Sequence, residues 1–191
     1  MKKLLLSLIF TLLALGGPTV HADEYLIDTK GSHAFIQFQT KHLGYSWLYG
    51  RFNTFDGTFS YDENNPSASK VEVTIDPASV DSNHAERDKH LRGKKFLNVA
   101  EFPDAGFVGT SFKETGNGRA ILKGDLTLHG VTKNITIDIE HIGHGKDPWG
   151  GYRRGFLGKT TFTMADFGIK ANLGPASKEV EMTLSIEGIR K

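Results

Sequence analysis

Residues 180–187 have the sequence Val180-Glu181-Met182-Thr183-Leu184-Ser185-Ile186-Glu187, in which apolar and polar side chains alternate without a break. Because successive side chains of a strand point to opposite faces, this period of two predicts a β-strand with one buried and one wet side. The same alternation occurs in Val71-Glu72-Val73-Thr74-Ile75 and in Phe55-Asp56-Gly57-Thr58-Phe59-Ser60-Tyr61. The chain is therefore predicted to consist mainly of strands.

Roughly eight or nine short strands are predicted along the chain, separated by turn-sized gaps such as Thr115-Gly116-Asn117-Gly118. The gaps hold no crossover helices, which parallel neighbours would need, so we expect antiparallel order. Two architectures fit this pattern, a two-sheet sandwich and a closed barrel. A barrel of about eight strands has an interior just able to hold one ligand.

The apolar face of these strands is rich in phenylalanine, with 13 Phe residues in the chain. Aromatic stripes usually fill a packed core, and the pattern by itself favours that interpretation. The same side chains would line a tunnel if the barrel enclosed a ligand. The residues alone leave both possibilities open.

A single helix is predicted at about residues 84–95, with Asn83 as its N-cap and Glu86 three residues later, as in a capping box. It carries little apolar surface, so we expect it to cross the rim of the β-structure. Residues 86–95 include five Lys or Arg side chains against two acidic ones. This segment is either a cradle for an anionic or polar head group or a solvated charged face. Arg153-Arg154 is a second, smaller basic site or an edge-strand guard.

Residues 1–22 have the organisation of a secretory signal peptide. Lys2 and Lys3 form the basic region, residues 4–15 the apolar region, and Val20-His21-Ala22 the cleavage site. The apolar stretch is shorter than the roughly 20 residues that span a bilayer, so no transmembrane anchor is expected. Residues 23–191 form the predicted domain, and we expect it in the periplasm.

The composition restricts the chemistry of the exported domain. The sequence has no cysteine, so it offers neither a disulfide nor a thiol nucleophile nor a thiolate metal site. Removing Lys2 and Lys3 changes the formal net charge from +1 to −1, which argues against general nucleic-acid binding.

Enzyme motifs such as G-x-S-x-G, H-E-x-x-H and a Walker loop do not occur in the sequence. The sharper alternative is a metal site at the helix, where Asp81, His84, Asp88 and His90 are ligand types. His84 and His90 are six residues apart and point to different sides, which weakens a joint site. His141 and His144 are weaker candidates still.

Several long motifs resemble those of the YceI-like periplasmic proteins, also called polyisoprenoid-binding proteins, and the resemblance covers essentially the whole chain. The motifs that carry it are His42-Leu43-Gly44-Tyr45-Ser46-Trp47-Leu48-Tyr49-Gly50, Phe55-Asp56-Gly57-Thr58-Phe59, Val80-Asp81-Ser82-Asn83-His84-Ala85-Glu86-Arg87-Asp88-Lys89-His90-Leu91-Arg92, Phe96-Leu97-Asn98, Phe102-Pro103, Gly124-Asp125-Leu126-Thr127-Leu128-His129-Gly130-Val131-Thr132-Lys133 and Asp166-Phe167-Gly168-Ile169. Asn134 departs from the family, which often has proline after Thr-Lys.

The resemblance implies an all-β, lipocalin-like antiparallel barrel that encloses a long-chain isoprenoid, either an isoprenoid quinone or a polyprenyl phosphate. It implies a binding or carrier protein, with no cofactor and no catalytic residue. The candidate tunnel residues are Phe38, Phe59, Phe107, Phe112, Leu126, Phe156 and Phe162. The candidate head-group residues are His84, Arg87, His90 and Arg92.

Two other functions stay open at this point. The first is a metal-dependent or stress-related periplasmic enzyme that uses Asp81, His84 and His90. The second is a structural or partner-binding role, for instance beside a membrane cytochrome or another quinone-handling protein. Either a monomer or a dimer is compatible with the sequence, and the Trp47 region is a candidate dimer contact.

Overall fold

The computed structural model describes residues 22–191, so the predicted signal peptide, residues 1–22, lies outside it apart from Ala22. The described residues form eleven strands and one α-helix. The strands are β1 (Asp23–Ile27), β2 (Phe35–His42), β3 (Ser46–Phe52), β4 (Phe55–Tyr61), β5 (Lys70–Ile75), β6 (Val80–Asp81), β7 (Ala105–Gly116), β8 (Arg119–Leu128), β9 (Val131–Lys146), β10 (Tyr152–Thr163) and β11 (Glu179–Arg190), and α1 is Ala85–Arg92.

The strands close into an eight-position antiparallel barrel. β1, β4, β5, β7, β8, β9, β10 and β11 pair in that order, and β11 pairs back with β1. Each of the first three positions of the barrel is occupied by two consecutive strands, separated by a break. These pairs are β1 and β2, which both pair with β11, then β3 and β4, and then β5 and β6. The predicted lipocalin-like barrel is thus confirmed over the sandwich.

The two ends of the barrel differ in how the wall is completed. At the far end, where β4 and β7 finish and β10 starts, hydrogen-bonded strands form an unbroken ring. At the helix end, where β2 finishes and β11 starts, β6 pairs with β3 alone among the described strands. Residues 82–104, which include α1, bridge the gap between β6 and β7, and the Phe102 ring packs 4.4 Å from that of His129.

The packed core lies towards the far end. Tyr25, fully buried, stacks on Phe59 with ring centroids 4.8 Å apart, and Phe156 meets Phe59 edge-on. Gly188 permits this stack, because a Cβ there would lie 2.4 Å from a ring carbon of Phe59. A second cluster, around Phe107 and Ile137, continues the core on the opposite wall.

The helix is shorter than the prediction of residues 84–95 and begins with a different cap. It spans Ala85–Arg92, and its N-cap is His84, whose Nδ1 accepts a 3.2 Å hydrogen bond from the Arg87 amide. Asn83 stands one residue too early and has a left-handed backbone, with φ of +61°. The Asp81 carboxylate accepts a hydrogen bond from the Asn83 amide and holds Asn83 in this conformation. No helix within residues 22–191 is long and apolar enough to cross a membrane.

Candidate functional site: an apolar cavity inside the barrel

A cavity of about 540 Å³ occupies the barrel interior and extends to the helix end. Close-packed protein interiors leave few voids larger than a water molecule. A volume in the range of small-molecule binding sites is therefore a constructed feature and not a packing defect. Its wall is almost wholly aliphatic and aromatic.

Strand β11 shows why the interior is a cavity and not a filled core. Val180, Met182, Leu184 and Ile186 all line the cavity, whereas the intervening polar residues do not. All four are only partly buried, although they point into a closed barrel. A packed core would bury them fully, so their remaining surface faces the cavity.

The seven candidate tunnel residues come together on this wall. Phe38, Phe59, Phe107, Phe112, Leu126, Phe156 and Phe162 all line the cavity. The strand register places them there, because each belongs to the inward face of its strand. Their contact with a lipid stays a prediction.

The four candidate head-group residues divide into two pairs. Arg87 and His90 line the cavity at the helix end, whereas His84 and Arg92 are not part of the lining. His84 caps α1 through its ring nitrogen, and an Arg92 guanidinium nitrogen lies 3.4 Å from the Val80 carbonyl, so both side chains are used in holding the helix.

Arg87 is held firmly at the rim. Its Nε donates to Ser82 Oγ at 2.7 Å, and its terminal nitrogen donates to the Ser82 carbonyl at 2.5 Å. The buried carboxylate of Asp88 accepts the Ser82 amide and hydroxyl, which fixes Ser82 in turn. A guanidinium carries five N–H donors, so Arg87 keeps donors for an anionic or carbonyl oxygen at the mouth.

A polar cluster closes the far end of the barrel, and sequence reasoning missed it. Arg154, only 3% exposed, lies near Tyr25 Oη (3.3 Å) and His141 Nε2 (3.4 Å) and pairs with Glu63. Its guanidinium lies 4.3 Å from the ring centroid of Tyr61, which lines the cavity. Arg154 and Glu63 are far apart in sequence, so their pairing could not be predicted. The alternation of strand side chains indicated only that either Arg153 or Arg154 points inward.

The ionisation of this cluster follows from its burial. Desolvation, together with the nearby Arg154 and His144, lowers the pKa of His141. Desolvation and the hydrogen bond to Glu114 raise the pKa of Tyr61 to about 12. His141 and Tyr61 are thus neutral near neutral pH, which suits a floor beneath an apolar cavity. The edge-guard interpretation of Arg154 is wrong, because the side chain is buried inside the barrel.

The side chain of Arg153 points away from the barrel interior and links the end of β1 to β11. Its guanidinium donates to Asp28, Asp147 and Glu187 at 2.7, 2.8 and 2.5 Å. The His33 ring and Arg153 lower the pKa of Asp28 to about 2, against the desolvation that would raise it. This network secures the loop between β1 and β2.

The metal alternative finds no support in the geometry of the helix. Within the described part of the chain, the ligand-type side chains close enough to share one ion are Asp28, His33 and Glu187. Arg153 already supplies the positive charge between Asp28 and Glu187. Asp81, His84 and His90 do not form such a group, since Asp81 bonds to Asn53 and Asn83 and His84 caps the helix.

The fold and the cavity define a class, the antiparallel barrels that enclose an apolar interior. The chain belongs to the YceI-like family, because the family model of the YceI-like domain matches residues 25–188. It is similar to a UPF0312 protein of Pseudomonas aeruginosa strain LESB58, with 62% identity over 170 residues that cover 89% of this chain and 88% of the relative.

Two solved structures share the fold. The Campylobacter jejuni YceI protein is 28% identical, with a TM-score of 0.71 over 79% of this chain and 90% of its own. A polyisoprenoid-binding domain from Saccharophagus degradans, implicated in plant cell wall breakdown, is 15% identical, with a TM-score of 0.62 over 87% of this chain and 98% of its own.

Proposed function

We propose that this protein binds and carries a long-chain isoprenoid lipid in the periplasm, with the chain inside the barrel and the head group at the helix end. The observation that carries the proposal is the apolar cavity of about 540 Å³ in the barrel interior. Export to the periplasm rests on the signal-like sequence of residues 1–22.

The energetics favour an apolar occupant. A dry void of this size would leave the side chains of its wall without van der Waals partners on one side, which is unfavourable. Water would find few hydrogen-bond partners along such a wall. A long hydrocarbon chain fills the volume and gains about 25 cal/mol per Å² of apolar surface removed from water.

The comparisons support a binding protein over an enzyme. The Saccharophagus degradans domain is described as polyisoprenoid-binding, which indicates what this fold can hold. An isoprenoid quinone or a polyprenyl phosphate both match the site, because each joins a long branched chain to a head group rich in oxygen acceptors. Arg87 and His90 line the cavity at the helix end, and we propose that they meet that head group.

The test is organic extraction and mass spectrometry of the protein purified from its native compartment. A stoichiometric isoprenoid would support the proposal and identify the head group. Protein that carries no isoprenoid, and that takes none up when one is supplied in detergent, would overturn it.

A second measurement tests the assignment of the head group. An Arg87→Met variant keeps a long side chain but removes the donors, so we expect weaker retention of the extracted lipid. Lys123→Met, on the outer wall of β8, is the matched control. Equal retention by both variants would place the head group elsewhere.

A further inference from the structure

The tip of the β2–β3 hairpin and the outer face of β3 expose an unusual set of apolar side chains. Leu43, Tyr45, Trp47 and Tyr49 are 58%, 88%, 39% and 63% exposed, and we call them the hairpin patch. Trp and Tyr combine an apolar ring with a polar edge, the combination enriched where proteins meet the membrane–water interface.

The hairpin patch borders the mouth of the cavity. His42, next to Leu43, lines the cavity and is itself exposed. The neighbouring loop packs on the hairpin, since Ser177 Oγ donates to the Lys41 carbonyl at 2.5 Å. In the same loop, Leu173 both lines the cavity and is 41% exposed. The exposed apolar surface is thus continuous with the apolar interior.

At this end of the barrel, the helix and the residues just after it carry a net positive charge, and Glu101 and Asp104 follow them in the same bridging segment. Residues 83–95 hold five Lys or Arg side chains against two acidic ones, and one of the acids, Asp88, is buried and bonded to Ser82. Lys41 Nζ lies 5.4 Å from the Trp47 ring, and Lys170 and Lys178 flank Leu173.

From these features we propose that the helix end docks on an anionic phospholipid bilayer, with Leu43 and Tyr45 entering the interface and the basic residues against the lipid phosphates. This inference rests on the proposed lipid-binding function and deepens it. A docked mouth lets a lipid pass between bilayer and cavity without exposing its chain to water. Apolar insertion and charge act together here, since either alone gives weak membrane binding.

The test is vesicle flotation of the purified protein, with phosphatidylcholine vesicles compared with vesicles that also contain phosphatidylglycerol. We expect binding to the anionic vesicles, and weaker binding in high salt because the surface charges are screened. A Leu43→Ser/Tyr45→Ser variant should bind about tenfold more weakly. Lys94→Ala and Lys95→Ala should each cost about fivefold on anionic vesicles.

Trp149→Ser is the control for the removal of an exposed apolar side chain. Trp149 is 77% exposed, close to the 88% of Tyr45, but it belongs to the far end. We expect Trp149→Ser to bind vesicles as the wild type does. Equal losses in Leu43→Ser/Tyr45→Ser and in Trp149→Ser would overturn the proposal, because binding would then not depend on the helix end.

Two further measurements distinguish membrane docking from lipid binding inside the barrel and from dimer formation. Lipid extracted from the same preparations reports the barrel's own binding, so stoichiometric lipid with no vesicle binding overturns docking alone. Light scattering on a sizing column reports oligomeric state. If the wild type is a dimer and Leu43→Ser/Tyr45→Ser a monomer, the hairpin patch is a subunit contact and membrane docking is wrong.

Discussion

The replacement of Leu184 by asparagine tests the cavity most directly. Leu184 lies on the inward face of β11, opposite Ile36 on β2 and Gly158 on β10, with Met182 and Ile186 on the same face. Asparagine has nearly the same shape as leucine but brings a carboxamide. Among these four neighbours, the thioether sulfur of Met182 is a weak acceptor, and the other three offer no side-chain hydrogen-bond partner.

The expected effect falls on lipid affinity. With a hydrocarbon chain in the cavity, an unpaired amide costs about 1–3 kcal/mol, which corresponds to roughly 5–150-fold weaker binding. With water in the cavity, the amide stays hydrated, so the ligand-free protein should lose less. The assay is competition between wild type and variant for a limiting amount of the extracted isoprenoid, followed by mass spectrometry.

Two controls make the result specific. Leu184→Met keeps the site apolar and should bind within a few-fold of the wild type, because volume-conserving swaps cost little. Thr183→Asn places the same amide one residue away, on the outer face beside Lys159 and Gln37, and should leave binding unchanged. Undiminished binding by a folded Leu184→Asn protein would refute the cavity as the lipid site.

Three further predictions concern stability. Removing the bound lipid should lower the thermal midpoint, and adding it back should restore the midpoint, because a ligand stabilises only the folded state it binds; an unchanged midpoint would argue against a filled cavity. Asp28→Asn should cost about 2 kcal/mol near neutral pH. Because the folded pKa of Asp28 is lowered from 3.8 to about 2, the gap to wild type should close as pH falls through that range, which urea melts would detect. Gly188→Ala should cost about 1–3 kcal/mol through overpacking on Phe59, whereas Gly143→Ala, whose Cβ meets nothing within 4 Å, should melt as the wild type does.

The barrel could be predicted from sequence because period-two alternation and short turns are local signals. The same alternation sorts inward from outward residues, as in Val180-Glu181-Met182, once one face of a strand is known to be buried. Sequence alone could not choose between a filled core and a cavity. That choice depends on how far apart the opposite walls stand, which is set by the closure of the whole sheet.

The far-end cluster was beyond prediction for a different reason. Arg154 pairs with Glu63 across 91 residues of sequence, and nothing local marks either as a partner. The prediction of the helix N-cap was wrong by one residue. Asn83 is a favourable residue type for an N-cap, but its backbone is left-handed, and His84 is the N-cap. The first error concerns a side chain whose surroundings are assembled by distant strands, and the second concerns the backbone conformation of a single residue.

The unequal completion of the two barrel ends has a consequence for how such proteins diversify. The unbroken ring of strands at the far end carries the cooperative hydrogen bonding and the tight aromatic packing, so we expect its amides to exchange with solvent most slowly. The helix end is spanned by residues 82–104 through side-chain contacts instead of a strand ladder. Insertions and substitutions there would therefore change the mouth of the cavity while leaving the unbroken ring of strands and its aromatic packing intact.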